Sequence, residues 1–469
     1  MDKYKKLLSN TLIFAIGTFS SKILVFLLTP FYTSVLTSEQ FGVGDLINKT
    51  ANLLIPIITL GIVNSIIRFG LDKSVRKDDV LSTGLVVIIG GYLVLLPFYP
   101  LVSKISLIEG YSYLVYAFVL TSAMRSLFSQ FVRVRGYVRL YALDGIVSTA
   151  TTILFNILFL TVFHLGVVGY VLATICADAL SALMLFFIAG LHRYIKFQGI
   201  SRRIAADMLK YSIPLIPNMM FWWITNSSDT FIVGYMINTS SSGLMNLAYK
   251  IPTIITLVAT FFLDAWQMSA VTEEKEREKF FTKVFKAYSS IVFIAASGII
   301  LCSRFLMYLL TIIAKDPAYD TAWKYVPYLV LGTSFSCLVT FLGSVYTVEK
   351  KSVQSMVTMA AGALANVVLN VLLIPYMGIN GAALGTFLSY GLVFVLRTVN
   401  TRRYIKIGMN TGKVLFNTVF LTAQSVLLIY EVKFWLVWEI AITLLILVVN
   451  GKELMMNLKR VLARRRRAV

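Results

Sequence analysis

The sequence predicts an all-α polytopic membrane protein of about fourteen transmembrane helices, with two parallel six-helix bundles around a central cavity and two additional C-terminal helices. Three observations carry that expectation. Of 469 residues, 58% are hydrophobic and only 14% charged, and the mean hydropathy is +0.80. Apolar runs of about 20 residues, long enough to cross a bilayer, recur over the whole length. Basic residues gather in alternate connections between these runs, the asymmetry that orients membrane helices.

Bounded by charged and turn residues, the first six spans fall near residues 7–35, 41–69, 80–102, 113–132, 139–163 and 166–190. The next six fall near 211–236, 242–270, 280–311, 321–348, 351–375 and 379–400, and two shorter ones near 414–430 and 433–450. The first run is too long for a signal peptide and lacks an A-x-A cleavage site, so it is expected to stay as a helix. The division that follows is an N-terminal bundle over 1–190, a basic linker over 191–210 and a C-terminal bundle over 211–410. Two extra helices over 411–450 and a basic tail over 451–469 complete it. The start of the chain, the linker, the 271–286 segment and the tail are rich in Lys and Arg, whereas the opposite side holds only Lys104, Lys315 and Lys433. Both termini are therefore expected in the cytoplasm, with the chain in the plasma membrane.

The net charge of +21 is spread over many short segments, which excludes a folded basic surface for nucleic acid. The run ARRRR at 463–467 reads as a topology signal, with contact to anionic lipid as the other reading. Cys176, Cys302 and Cys337 sit in predicted spans without C-x-x-C spacing, so neither disulfide nor metal site is expected. No catalytic residue is expected either: the two histidines, His164 and His192, have no substantial outer loop to serve, as a membrane glycan polymerase would need.

Five basic residues, Lys22, Lys49, Arg125, Lys250 and Arg304, fall deep within spans. Each would cost about 3 kcal/mol facing lipid. They are expected to line a wet internal cavity, and a cavity biased toward fixed positive charge suits an anion. Asp45 and Lys49, one helical turn apart, could instead neutralise each other. Arg68, Lys324 and Arg397 lie near span ends and are expected to snorkel. Asp178, in the middle of the sixth span, is a candidate proton carrier or a hydrogen-bonded structural acid.

An internal repeat links the halves. FNILFLTVFHLGVVGYVLAT at 155–174 matches LNVLLIPYMGINGAALGT at 369–386 through an Asn followed by G-x-x-G-x-x-x-[AG]-T. FGVGDLINKT at 41–50 matches SGLMNLAYKI at 242–251, which makes Lys49 and Lys250 repeat-equivalent. Six spans separate the copies, so both have the same orientation. Polar residues fall on helix faces: Gly17, Thr18, Ser21, Lys22 and Thr29; Asp45, Asn48, Lys49 and Asn52; Asn218, Trp222, Thr225, Asn226 and Asp229.

With its opening NTLIFAIGTFSSKILVFLLTPFYTSVLTSEQFGVGDL and the N…GxxGxxx[AG]T hairpins, the chain over about 7–400 resembles the polysaccharide flippase branch of the multidrug/oligosaccharidyl-lipid/polysaccharide exporter superfamily. The resemblance is to Wzx-type flippases, which move undecaprenyl-pyrophosphate-linked oligosaccharide repeat units for capsule, O-antigen or similar surface glycans. It implies alternating access and a diphosphate held by Lys22, Lys49 and Lys250. Arg125 and Arg304 join them as headgroup cations on depth alone, and Arg304 could instead snorkel. Lysine stands where related lipid II flippases have arginine, so the grip lacks a bidentate fork. Sugar contacts would fall to Asn48, Asn52, Asn218, Trp222, Trp223 and Asn226. The resemblance also implies a sodium site at Asp229, Asn366, Asn370 and Thr386, weakened by the amide at Asn370. Apart from sodium or a proton as coupling ion, no cofactor is implied. The implied partners are the lipid-linked glycan, membrane lipids and polysaccharide assembly proteins, with the chain itself a monomer. A drug/cation antiporter of the same superfamily, the rival reading, would place carboxylates where this chain has deep cations. A lipid II or teichoic-type flippase is the other alternative.

Overall fold

A computed structural model describes residues 26–72, 74–196, 200–272, 276–349 and 351–467, with the backbone alone at 261, 264, 265, 267–272 and 452–467. Every regular element among them is helical. Among the described residues, nine helices are long and apolar enough to cross a membrane, or up to eleven if each of two bent helix pairs is one span. The protein is thus a multi-pass membrane protein. The chain divides into two compact units, residues 1–223 with 313–316, and 224–312 with 317–469.

In unit 1, α1 (Thr29–Val35) leads into α2 (Ser38–Ile58). A reciprocal cap starts α2: the Gln40 amide donates to Thr37 Oγ1 at 3.2 Å, and the Thr37 amide to Gln40 Oε1 at 3.1 Å. The span expected over 41–69 is broken. Pro56 removes one helical hydrogen bond and Gly61, at φ 63°, takes the left-handed conformation, so α3 (Ile62–Leu71) leaves at 52° to α2. Next come α4 (Lys77–Leu95), α5 (Ser112–Val134), α6 (Val138–Ile157) and α7 (Gly166–Ile188). The core of unit 1 packs Ile62 and Ile66 of α3 against Leu81, Leu85, Leu127, Phe131 and Leu185. Within residues 191–210, expected as a connection, α8 (Arg202–Ser212) forms and buries Met208, whose carbonyl accepts from Ser65 Oγ at 2.8 Å. The start of α9 (Ile216–Met236) also belongs to this unit.

In unit 2, the span expected over 242–270 is also a bent pair. α10 (Thr239–Lys250) ends before Pro252, and α11 (Thr253–Thr272) continues at 41°. α12 (Arg277–Thr311) is followed by a 3-10 segment, Pro317–Tyr325, and by α13 (Val326–Val348), α14 (Ser352–Met377) and α15 (Ile379–Thr401). Aromatic rings form much of this core: Trp266 lies 4.7 Å from Phe281 and 5.1 Å from Phe341, and Tyr288 5.5 Å from Phe341. The last two helices are α16 (Thr411–Ile429) and α17 (Trp435–Arg467), the latter running far past the expected end at 450. Amides zip them together. Asn450 Nδ2 donates to Asn417 Oδ1 at 2.7 Å, and Gln424 Nε2 to Glu439 Oε2 at 2.7 Å.

The repeated glycine motif has the same local geometry in both units. Gly166 and Gly378 open their helices at φ 54° and 58°. Three residues on, a Cβ on Gly169 would come within 3.1 Å of the Phe159 carbonyl, and one on Gly381 within 2.4 Å of that of Leu373. The motif therefore lets the second helix of each hairpin approach the backbone of the first.

α4 offers a paired test of such close packing. A Cβ on Gly91 would sit 1.9 Å from the Ile58 carbonyl, whereas one on Gly90 meets nothing within 4 Å. Gly91→Ala is expected to destabilise the protein by roughly 1–3 kcal/mol or more, and Gly90→Ala to leave it unchanged or slightly stabilised. Thermal unfolding of both variants in detergent checks this; equal melting temperatures would refute it.

Candidate functional site

Polar groups inside a bilayer must find partners within the protein, and the buried charges show where that demand is met. Lys49 stands on α2 with Nζ 2.8 Å from Asp45 Oδ2, the two side chains 18% and 13% exposed. Beside it Trp223 Nε1 donates to the Lys49 carbonyl at 3.1 Å, and Asn52 Nδ2 to the Asn48 carbonyl at 2.9 Å. Asn48 Oδ1 is buried without a hydrogen-bond partner. Asn218 is half-buried and Trp222 is 60% exposed. Unit 1 thus gathers Asp45, Asn48, Lys49, Asn52 and Trp223 on one patch of α2 and α9. Lys22 lies outside the described residues.

Arg125 has a different environment. Its Nη1 lies 2.8 Å from Asp178 Oδ1 and its Nη2 3.4 Å from Asp144 Oδ2, so two nearly buried carboxylates flank one guanidinium. Ser122 Oγ donates to Asp178 and Ser129 Oγ to Asp144. Asp178, read as a proton carrier or a structural acid, is thereby joined to α5.

In unit 2, Lys250 is half-buried at the end of α10, directly before the bend. The residues proposed from resemblance as an ion site come together. Thr386 Oγ1 donates to Asp229 Oδ2 at 3.2 Å, Asn366 Nδ2 to Thr386 Oγ1 at 3.2 Å, and Asn370 Nδ2 to Asn366 Oδ1 at 3.0 Å. Asp229, Asn366 and Asn370 are fully buried and Thr386 nearly so. Ser228 Oγ and the Tyr249 hydroxyl join the network, at Asn366 and Asp229 respectively. Asn370 Oδ1 is buried with no hydrogen-bond partner. Of the groups a hard monovalent cation takes, the set offers one carboxylate and one unmatched amide oxygen. Asn226 departs from the proposed sugar set, since Tyr390 OH donates to its Oδ1 at 2.8 Å.

Arg304 pairs with Glu431 and stacks between two indoles, its Cζ 3.8 Å from the Trp323 ring centre and 4.7 Å from that of Trp435. The guanidinium holds the Glu431 carboxyl below its ordinary range. Arg397, expected to snorkel, is only 4% exposed. It turns inward because Gly343 leaves room for it, and it donates to the Val339 carbonyl at 2.8 Å and to Thr358 Oγ1 at 3.1 Å. Asp144, Glu431, Tyr249 and Trp323 escaped the sequence reading. Their partners lie far off in sequence, and only the ionisable pair was visible, as acids within or beside apolar runs.

Residues 7–267 match the family model described as polysaccharide biosynthesis protein. Among solved structures, the lipid II flippase MurJ in an inward closed conformation superposes with a TM-score of 0.71 at 13% identity, covering 95% of this chain and 99% of that one. An inward-facing multidrug resistance MATE family transporter of the MOP superfamily gives 0.63 at 14% identity, covering 83% and 96%. An outward-facing one gives 0.59 at 15% identity, covering 83% and 94%. At such identities the likeness establishes the fold. No curated protein matches.

Arg125→Met would strand two buried carboxylates and is expected to cost about 3 kcal/mol or more in stability. Adding Asp144→Asn and Asp178→Asn should recover most of the loss. Melting temperatures of the single and triple variants test this, and a triple variant no better than the single one would refute charge balance as the role of Arg125.

Proposed function

Because the chain belongs to the polysaccharide biosynthesis protein family, we propose that it flips an undecaprenyl-pyrophosphate-linked oligosaccharide repeat unit from the cytoplasmic to the outer leaflet. The product would feed a surface polysaccharide of capsule or O-antigen kind in a bacterial plasma membrane. One observation carries the reading. Lys49 and Lys250, equivalent in the internal repeat, lie on the two bent helix pairs found among the described residues. Interrupted spans in corresponding segments of two repeats, here broken at different points, are a usual mark of a transporter's binding site, since the break frees backbone groups that only a cavity can satisfy.

In this proposal Lys22, Lys49 and Lys250 hold the diphosphate. Lysine suits the task because its ammonium is a rotatable point charge that can exchange one anionic partner for another. Lys49 would leave Asp45 for phosphate on loading and return on release, keeping the lysine neutralised between cycles. Arg125 and Arg304, each matched by carboxylates, contribute less to the headgroup. Asn48, Asn52, Asn218 and Trp222 offer sugar contacts. Alternating access turns the loaded site from one side to the other, while the polyprenyl tail stays in the bilayer. Sodium at Asp229, Asn366, Asn370 and Thr386 would supply a fixed positive charge whose arrival and departure bias that exchange. In this reading the basic segments keep both termini in the cytoplasm, and the chain works as a monomer, alone or beside assembly proteins.

Reconstitution in liposomes with a defined lipid-linked glycan tests the proposal. Lys49→Ala and Lys250→Ala should each lower flipping about tenfold or more, as expected for loss of a charge-assisted contact. Lys433→Ala should leave it intact. Lys49→Ala with Asp45→Asn removes the stranded carboxylate, so a persistent defect in the double variant assigns the loss to the substrate. Full flipping by both single variants would overturn the lysine assignment, and ethidium efflux without glycan flipping would favour the antiporter. For the ion, replacing sodium with choline and testing Asp229→Asn should each slow transport; no effect from either removes sodium from the reading.

A further inference from the structure

α12 begins among Arg277, Lys279, Lys283 and Lys286, and its far end carries Arg304 and Tyr308. That far end is the one that charge asymmetry directs to the outside. There, a cavity of about 480 Å³ opens between α12, the Pro317–Tyr325 segment and the turn after α16. Its size lies within the range of small-molecule sites, about 300–1,000 Å³.

The lining decides what could occupy it. Arg304 and Lys324 supply two cations, Asp320 and Glu431 two carboxylates, so the formal charges cancel. A phosphate would meet as much repulsion as attraction, and an apolar drug would meet four charged groups. A polyhydroxyl ligand uses both kinds at once, since each hydroxyl donates to a carboxylate and accepts from an ammonium. Aromatic surface is at hand in Trp323 and in Tyr308, which is 58% exposed. Part of the wall is also held by contacts within the protein. Arg304 is held between two indoles and by Glu431, and Lys324 Nζ lies 5.7 Å from the Trp323 ring centre. A site fixed beforehand loses little freedom when a flexible sugar binds.

We propose that this pocket is a carbohydrate subsite, taking sugar residues by hydroxyl contacts to Asp320 and Lys324 and by a ring face against Tyr308. The proposal rests on the flippase reading and deepens it: the lysines take the diphosphate, whereas this pocket receives the sugars once they reach the outer side. It gives the Arg304 cluster a role separate from phosphate binding.

The probe is the phosphate-free oligosaccharide released by mild acid from the cell's own lipid-linked repeat units, titrated into the full-length protein in detergent and followed by tryptophan fluorescence and calorimetry. The oligosaccharide should bind, and inorganic pyrophosphate should not displace it. Asp320→Asn and Tyr308→Ala, both at exposed positions, should weaken binding about tenfold while leaving the melting temperature unchanged. Lys104→Ala, in the other unit, should bind as the parent does. Absence of binding, binding unchanged in both variants, or displacement by pyrophosphate would overturn the subsite. The liposome assay separates the two readings. Normal flipping with no sugar binding removes the subsite alone, whereas sugar binding without flipping removes the flippase reading and leaves the pocket.

Discussion

The bilayer offers no water, so each charge carried into it must find its partner inside the protein. That constraint organises the polar architecture. Asp45 answers Lys49, Asp144 and Asp178 answer Arg125, and backbone carbonyls with Thr358 answer Arg397. Removing one member of such a set leaves the others unsatisfied in a medium of low dielectric, the costly case for a buried ion pair. Charges identified as substrate ligands by depth alone therefore have structural duties too.

The helical, multi-pass class was legible because an 18-residue apolar run has few alternatives, while of the fourteen expected spans the described residues show nine to eleven. The breaks inside two of them were less so. Pro56 lies inside α2 without ending it, and the bend comes at Leu60 and Gly61, whose positive φ values no hydropathy pattern encodes. The 202–212 segment reads as a charged connection, yet Met208 gives it an apolar side to bury. Within the candidate site, the Asp229, Asn366, Asn370 and Thr386 set was named through family resemblance, and the folded chain brings it together. Asp144 and Glu431 were missed because pairing across helices is set by packing, which spacing along one helix cannot report. Arg397 was misjudged for the same reason: the space it fills is made by a glycine on another helix.

The repeat survives at the level where physics enforces it. Both halves retain a glycine of positive φ opening a helix and a second glycine against the preceding backbone. Both also retain a bent helix bearing a lysine. The bends are not superimposable. In the first half the break lies well beyond Lys49, and in the second it follows Lys250 immediately. An ammonium at a helix end meets unsatisfied carbonyls and a favourable dipole that a mid-helix one lacks, so the two lysines stand in unequal electrostatic surroundings.

The last helix, Trp435–Arg467, has 33 residues, a length of roughly 50 Å at 1.5 Å per residue. A hydrocarbon slab of about 30 Å accounts for little more than half of it. The remaining length, more than a straight crossing uses, continues the same helix to Arg467 from the buried stretch where Glu439 meets Gln424. A helix unbroken over that length behaves as one rod, so the Glu439–Gln424 bond that ties it to α16 also sets the direction in which its basic end runs.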